Sequence, residues 1–80
     1  MRKNTKKTEY PFVIEFERET DRRWIAEVPK LPGVMAYGKT KNEARQKVSA
    51  IALRTLADKV ERGITPLSIA RLLRYEMARS

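Results

Sequence analysis

The feature that most constrains the fold is a long segment with a clear helix start and a clear helix stop. Residues 40–43 read Thr-Lys-Asn-Glu, the pattern of a capping box, in which the Thr40 hydroxyl accepts from the amide of Glu43 and the Glu43 carboxylate reaches back to the Thr40 amide. Gly63 and Pro66 then end the helical pattern. The sequence therefore predicts one helix from residue 41 to about Arg62, which dominates a chain of 80 residues.

This helix carries two apolar faces. The first is expected to cover a sheet and comprises Ala44, Val48, Ile51, Ala52, Thr55 and Leu56. The second comprises Leu53, Ala57 and Val60, with Ala50 beside them. It needs either the C-terminal segment or a second protomer to cover it, unless it is a half-exposed face built from good helix formers. We predict an oligomer face of Leu53, Ala57, Val60 and Tyr75.

Three short strands are predicted before the helix. Residues 10–17 and 23–28 alternate apolar and polar side chains, and the short charged link between them favours an antiparallel hairpin. Two prolines and Gly33 break the pattern at residues 29–33, and residues 34–37 form the third strand. Trp24 shares its parity with Ala26 and Val28, so it is expected to pack in the core.

The last stretch, residues 68–80, is ambiguous. Ile69, Leu72, Leu73 and Met77 fit a helix, whereas Ile69, Leu73, Tyr75 and Met77 fit an edge strand. The amino-acid composition favours the helix.

The residue types exclude most catalytic chemistry. The chain has no Cys and no His, so thiol nucleophiles, histidine dyads and zinc sites are ruled out. Glu15, Glu17, Asp21 and Glu27 fit exposed sheet charges better than a two-metal nuclease centre. We expect no enzyme activity, no catalytic residue, no metal and no cofactor. The absence of an apolar membrane span or signal segment predicts a cytoplasmic protein.

The net charge of +8 favours acidic partners such as nucleic acid. Residues 1–9 form a basic tail that we expect to be disordered, and residues 10–80 a single domain. If the termini lie close together, one basic patch would offer phosphate contacts, and its members would be Lys3, Lys6, Lys7, Arg71 and Arg74. The alternative is ordinary surface charge.

Two stretches resemble the HicB-like antitoxin family. They are RWIAEVPKLPGV at residues 23–34 and YGKTKNEA at residues 37–44. The resemblance covers residues 10–63 and implies an α+β, partial ribonuclease-H-like fold. That fold is a three-stranded antiparallel sheet packed on one long helix, in the order β-β-β-α, with a short fourth strand after it. By this analogy residues 71–77 are expected to be a strand, against their helical composition.

The same resemblance implies a non-enzymatic antitoxin or solitary HicB-like protein, which binds and occludes a HicA-type mRNA-cleaving toxin. We expect the family's separate DNA-binding module to be missing, because too few residues follow Gly63. HicA toxins tend to be basic, so a local acidic patch has to overcome the positive net charge. The predicted partner-binding residues are Glu15, Glu17, Ile25, Glu27 and Tyr37. We further expect a homodimer or higher homo-oligomer and no membrane association. The alternative function is a stand-alone nucleic-acid-binding protein.

Overall fold

The structure, a computed structural model, describes residues 12–73. Three strands, β1 (Glu15–Arg18), β2 (Trp24–Glu27) and β3 (Met35–Gly38), form an antiparallel sheet in the order β1-β2-β3. The long helix α1 (Lys41–Glu61) packs on one face of this sheet, and a short helix α2 (Leu67–Leu72) follows. The predicted α+β arrangement of a three-stranded antiparallel sheet on one long helix is therefore confirmed.

The core lies between α1 and the inner face of the sheet and consists of small and medium side chains. Its buried members are Ala26, Val28, Leu31, Val34, Ala36, Ala44, Val48 and Leu56. Half-buried apolar residues surround them, including Phe16, Trp24 and Ile69. The predicted first face of the helix and the predicted core position of Trp24 are both confirmed.

The two ends of α1 follow the expected capping chemistry with one difference. The Thr40 hydroxyl accepts from the Glu43 amide at 3.0 Å, but the Glu43 carboxylate accepts from the amide of Lys39, not of Thr40. At the other end Gly63 has a φ of +85°, and the amides of Gly63 and Ile64 donate to the carbonyls of Val60 and Lys59. This is a Schellman motif, which requires the left-handed conformation that glycine adopts most easily.

The first strand is shorter than predicted. β1 begins at Glu15, which pairs with Glu27, the last residue of β2. Pro29 follows closely and has no amide hydrogen to donate, so the ladder cannot continue toward residue 10 on that side. Residues 10 and 11 lie outside the described residues.

The turn after β2 is built as the prolines and Gly33 predict. The Leu31 amide donates to the Val28 carbonyl and the Val34 amide to the Leu31 carbonyl, while Gly33 has a φ of +86°. Leu31 is thereby placed in the core. Val34 closes this turn, so β3 begins one residue later than predicted, at Met35.

The prediction of a strand at residues 71–77 is wrong for residues 71–73, the part of this segment that the structure describes. Arg71 and Leu72 form the end of α2, and residues 12–73 contain no fourth strand. The carbonyl of Pro66 accepts from the amides of Ile69 and Ala70, which starts the helix. The helical composition of this segment therefore prevails over the family analogy. Residues 74–77, the expected disorder of residues 1–9, and the termini as a whole lie outside the described residues.

Gly38 is a close-approach position at the junction of β3 and α1. A Cβ atom added there would lie 2.4 Å from the amide nitrogen and 2.9 Å from the Cα of Ala44. We predict that Gly38→Ala lowers the free energy of unfolding by about 3 kcal/mol, because backbone atoms cannot move aside as a flexible side chain can. Urea unfolding measures this.

Gly33→Ala is the matched control, because no atom of residues 12–73 beyond its two chain neighbours lies within 4 Å of the added Cβ, and its positive φ is what disfavours the substitution. It should cost about 1 kcal/mol. An equal or smaller loss at Gly38 would contradict the close approach.

The N-terminal cap of α1 is expected to make the stability of the protein depend on pH. The Lys39 amide and then the Lys47 ammonium hold the pKa of Glu43 below its ordinary value. A carboxyl whose pKa is lowered by folding stabilises the protein at neutral pH and loses that contribution as pH falls through its folded pKa. The Glu43→Gln variant should therefore lose less stability than the wild type between about pH 7 and about pH 3 in urea unfolding. Equal losses of stability in the variant and the wild type would show that protonation of Glu43 does not contribute to the pH dependence.

Candidate protein-binding surface

The sheet has one face that α1 does not cover. We call this the outer sheet face. Its strand residues are Glu15, Glu17, Ile25, Glu27, Met35 and Tyr37, and the exposed Val13, two residues before β1, continues their alternation. Because side chains alternate along a strand, the same pleat that places Phe16, Ala26 and Ala36 on the helix side turns the strand residues of this face the other way. No element of residues 12–73 packs over them, and Val13, Met35 and Tyr37 are exposed.

The strand register brings all five predicted partner-binding residues onto this face. Ile25 at its centre pairs with Glu17 on one side and with Tyr37 on the other. Glu27 pairs with Glu15 and with Met35 in the next outward-facing row. Directly opposed side chains in such rows lie about 5 Å apart at Cβ. The predicted residues therefore form one continuous surface.

Met35 and Val13 extend this surface and were absent from the predicted set. Met35 is 40% exposed beside Glu27, and Val13 is 48% exposed at the start of the described chain. The alternation of Val34 and Ala36 with Met35 and Tyr37 already contained the signal for Met35. The added residues make the face more apolar than the sequence indicated.

Three carboxylates lie on this face although the whole chain is basic. Glu15 and Glu27 are direct cross-strand partners, a like-charged pair that weakens the sheet slightly by itself. Within residues 12–73, Glu15, Glu17 and Glu27 make no salt bridge to a basic side chain. No group of three acidic residues in this part of the chain is close enough to hold a metal ion.

Tyr37 ends the face at the hairpin side, where Arg23 covers its ring. The Arg23 guanidinium lies 4.3 Å from the ring centre and its Nε donates to Asp21 at 2.7 Å. The pKa of Asp21 is lowered, first by the Arg23 amide that donates to it and then by the guanidinium. Arg23 is thus held in place, with its guanidinium against the Tyr37 end of the outer sheet face.

The basic end combines cations with the aromatic rings of the inner face. The Lys41 ammonium lies 5.0 Å from the Phe16 ring centre and 5.6 Å from that of Trp24, and Arg18 lies over Trp24 at 5.1 Å. Arg45 and Lys41 border a shallow depression of about 300 Å³ beside Phe16. This cluster was not predicted from the sequence, because the placement of Lys41 and Arg45 depends on where the start of α1 meets the end of the sheet.

Some residues of the predicted basic patch and oligomer face lie within residues 12–73, and the others lie outside them. Arg71 is exposed on α2, whereas Lys3, Lys6, Lys7, Arg74 and Tyr75 lie outside the described residues. The single basic patch that would join both termini therefore stays a prediction. Leu53, Ala57 and Val60 are exposed on one face of α1, as expected for the second face.

We compared the chain with known protein families, proteins and structures. No protein-family model, no curated protein and no solved structure matches the chain. Within residues 12–73, neither helix has the length and apolar character that crossing a bilayer requires.

Proposed function

We propose that this chain is a non-enzymatic, HicB-like binding module that occludes the RNA-binding surface of a basic, HicA-type ribonuclease. The observation that carries the proposal is the outer sheet face, where three carboxylates surround exposed apolar side chains on a chain with a net charge of +8. The resemblance of residues 23–44 to HicB-like antitoxins supports the choice of partner.

The chemistry of this face suits a protein that normally binds RNA. A ribonuclease holds phosphates with Lys and Arg side chains, and carboxylates at similar spacing offer the same charge and the same acceptor oxygens. Ile25, Met35 and Tyr37 supply the apolar centre that such an interface needs to exclude water. Binding there blocks access of RNA without any reaction by the antitoxin itself.

The positive net charge does not prevent this contact. At physiological ionic strength, charges more than about 8 Å apart are largely screened, so the groups that meet at the interface decide its sign. The Glu residues of the outer sheet face would then be close to the partner, and Arg18 and Lys41, over the inner-face rings of Phe16 and Trp24, would be on the other side of the sheet. The expected cost is a slower encounter rather than a weaker complex.

A second candidate function is nucleic-acid binding at the basic end. The placement of Arg18, Lys41 and Arg45 around Phe16 and Trp24 favours it, because cations beside aromatic rings suit phosphates and bases. Such binding would weaken steeply with salt. The two functions use different surfaces and are separable by experiment.

The test begins with capture of partners from the native cells at moderate salt, with and without nuclease. We expect a small basic protein to be retained after nuclease treatment. Glu17→Lys should then weaken its affinity at least about tenfold, because a lysine beside Ile25 would face the partner's own cations. Calorimetry with the purified partner measures this.

Asp58→Lys is the matched control, since it makes the same charge change at an exposed site on α1, where it loses only the surface ion pair with Arg62. It should leave the affinity within about twofold. Equal weakening by both variants would show an effect of net charge alone and would refute the outer sheet face as the contact. Recovery of nucleic acid only, lost at higher salt, would favour the second candidate.

A further inference from the structure

A second exposed apolar surface lies on the opposite side of the molecule from the outer sheet face. We call it the helix-face patch, and its residues are Leu53, Ala57, Val60, Ile69, Leu72 and Leu73. Leu53, Leu72 and Leu73 are 66%, 71% and 68% exposed. A groove of about 370 Å³ runs between α1 and α2 through this patch.

The patch is unusual for a chain with so much charge. Isolated exposed leucines are normal on protein surfaces, whereas a contiguous set marks an interaction site. Among residues 12–73, every residue that lines the groove is apolar except Glu61. The patch is therefore expected to bind a partner, and the charges at its border indicate which partner.

We propose that a second copy of this chain covers the helix-face patch, with the two α1 helices packed antiparallel across a two-fold axis near Ala57. Leu53 and Val60 flank Ala57 at spacings of four and three residues, so all three lie on one stripe of the helix. The small alanine side chain at the axis permits close approach of the two helices. Leu53 of each copy then packs near Val60 of the other.

The charges on one border of the stripe are complementary under this symmetry. Arg54 and Glu61 are seven residues apart, two helical turns, and lie on the same flank of the stripe. A two-fold axis near Ala57 reverses the chain direction and keeps that flank on the same side. It therefore places Arg54 of one copy beside Glu61 of the other, twice in the dimer. A parallel two-fold arrangement would instead place this flank of the two copies on opposite sides of the contact, so that Arg54 and Glu61 would not meet across it.

The other border of the stripe is formed by α2. The axis brings both α2 helices to the same side of the dimer, where the exposed Leu72 and Leu73 of each copy contact the neighbouring copy. Only Ile69 of α2 already packs against the chain's own core. This arrangement gives the remaining apolar side chains of α2 a partner that residues 12–73 of a single copy do not provide.

The dimer and the proposed function are independent of each other. The outer sheet faces of both copies point away from the two-fold contact, because α1 lies on the inner face of each sheet. The oligomeric state is measured on the purified full-length chain alone, without any partner. A monomeric chain would therefore not contradict the proposed function, and the absence of a ribonuclease partner would not contradict the dimer.

The test is a charge swap followed by sedimentation equilibrium on the full chain. Arg54→Glu alone and Glu61→Arg alone each create two like-charged contacts, and each should raise the dimer dissociation constant at least about tenfold. The double variant R54E/E61R restores opposite charges and should return the constant to within about threefold of the wild type. Circular dichroism confirms that each variant is folded.

Lys30→Glu is the control for net charge, since it makes the same change as Arg54→Glu on the exposed loop between β2 and β3. It should not weaken the dimer. A wild-type chain that is monomeric at roughly 100 µM, or a double variant as weak as the single ones, would overturn the proposal. The first result would show that a second copy does not cover the groove, and the second that Arg54 and Glu61 do not pair across the two-fold axis.

Discussion

The fold depends on how closely α1 approaches the sheet. Gly38 ends β3 directly against the backbone of Ala44. Where the first turns of α1 meet the sheet, the buried side chains include Ala26 and Ala36 on the strands and Ala44 on the helix. Small residues allow a short interaxial distance, so a thin core becomes continuous even in a small chain. The same contact fixes the direction in which α1 leaves the sheet, and hence which of its faces remains uncovered.

Pattern and capping chemistry predicted the elements well because these signals are local. Thr40 with Glu43 and Gly63 with Pro66 determine the helix ends within the helix itself, and alternation in residues 23–28 places Ile25 and Glu27 outward. The bend after Glu19 was not predictable in the same way. Arg22 adopts a φ of +76° there without being glycine, because the hairpin bonds between Glu19 and Arg23 impose it.

The signals that failed are those that depend on tertiary context. Residues 71–77 carry both periodicities, and the family analogy selected the strand where Arg71 and Leu72 are helical. The carboxylate of Glu43 bonds one residue earlier than the sequence pattern predicts. The position of Lys41 over Phe16 and Trp24 comes from the packing of α1 on the sheet, which no short window of sequence contains.

A two-layer domain of this size has two outward sides, and both carry more apolar surface than solvation alone favours. Ile25 and Met35 on the sheet are bordered by Glu15, Glu17 and Glu27, with Arg23 over Tyr37 at one end, whereas Leu53 and Val60 on α1 are bordered by charges of both signs. A mainly acidic border fits a basic partner, and a mixed border can satisfy a copy of itself. The sheet side is therefore suited to a different, basic protein and the helix side to self-association.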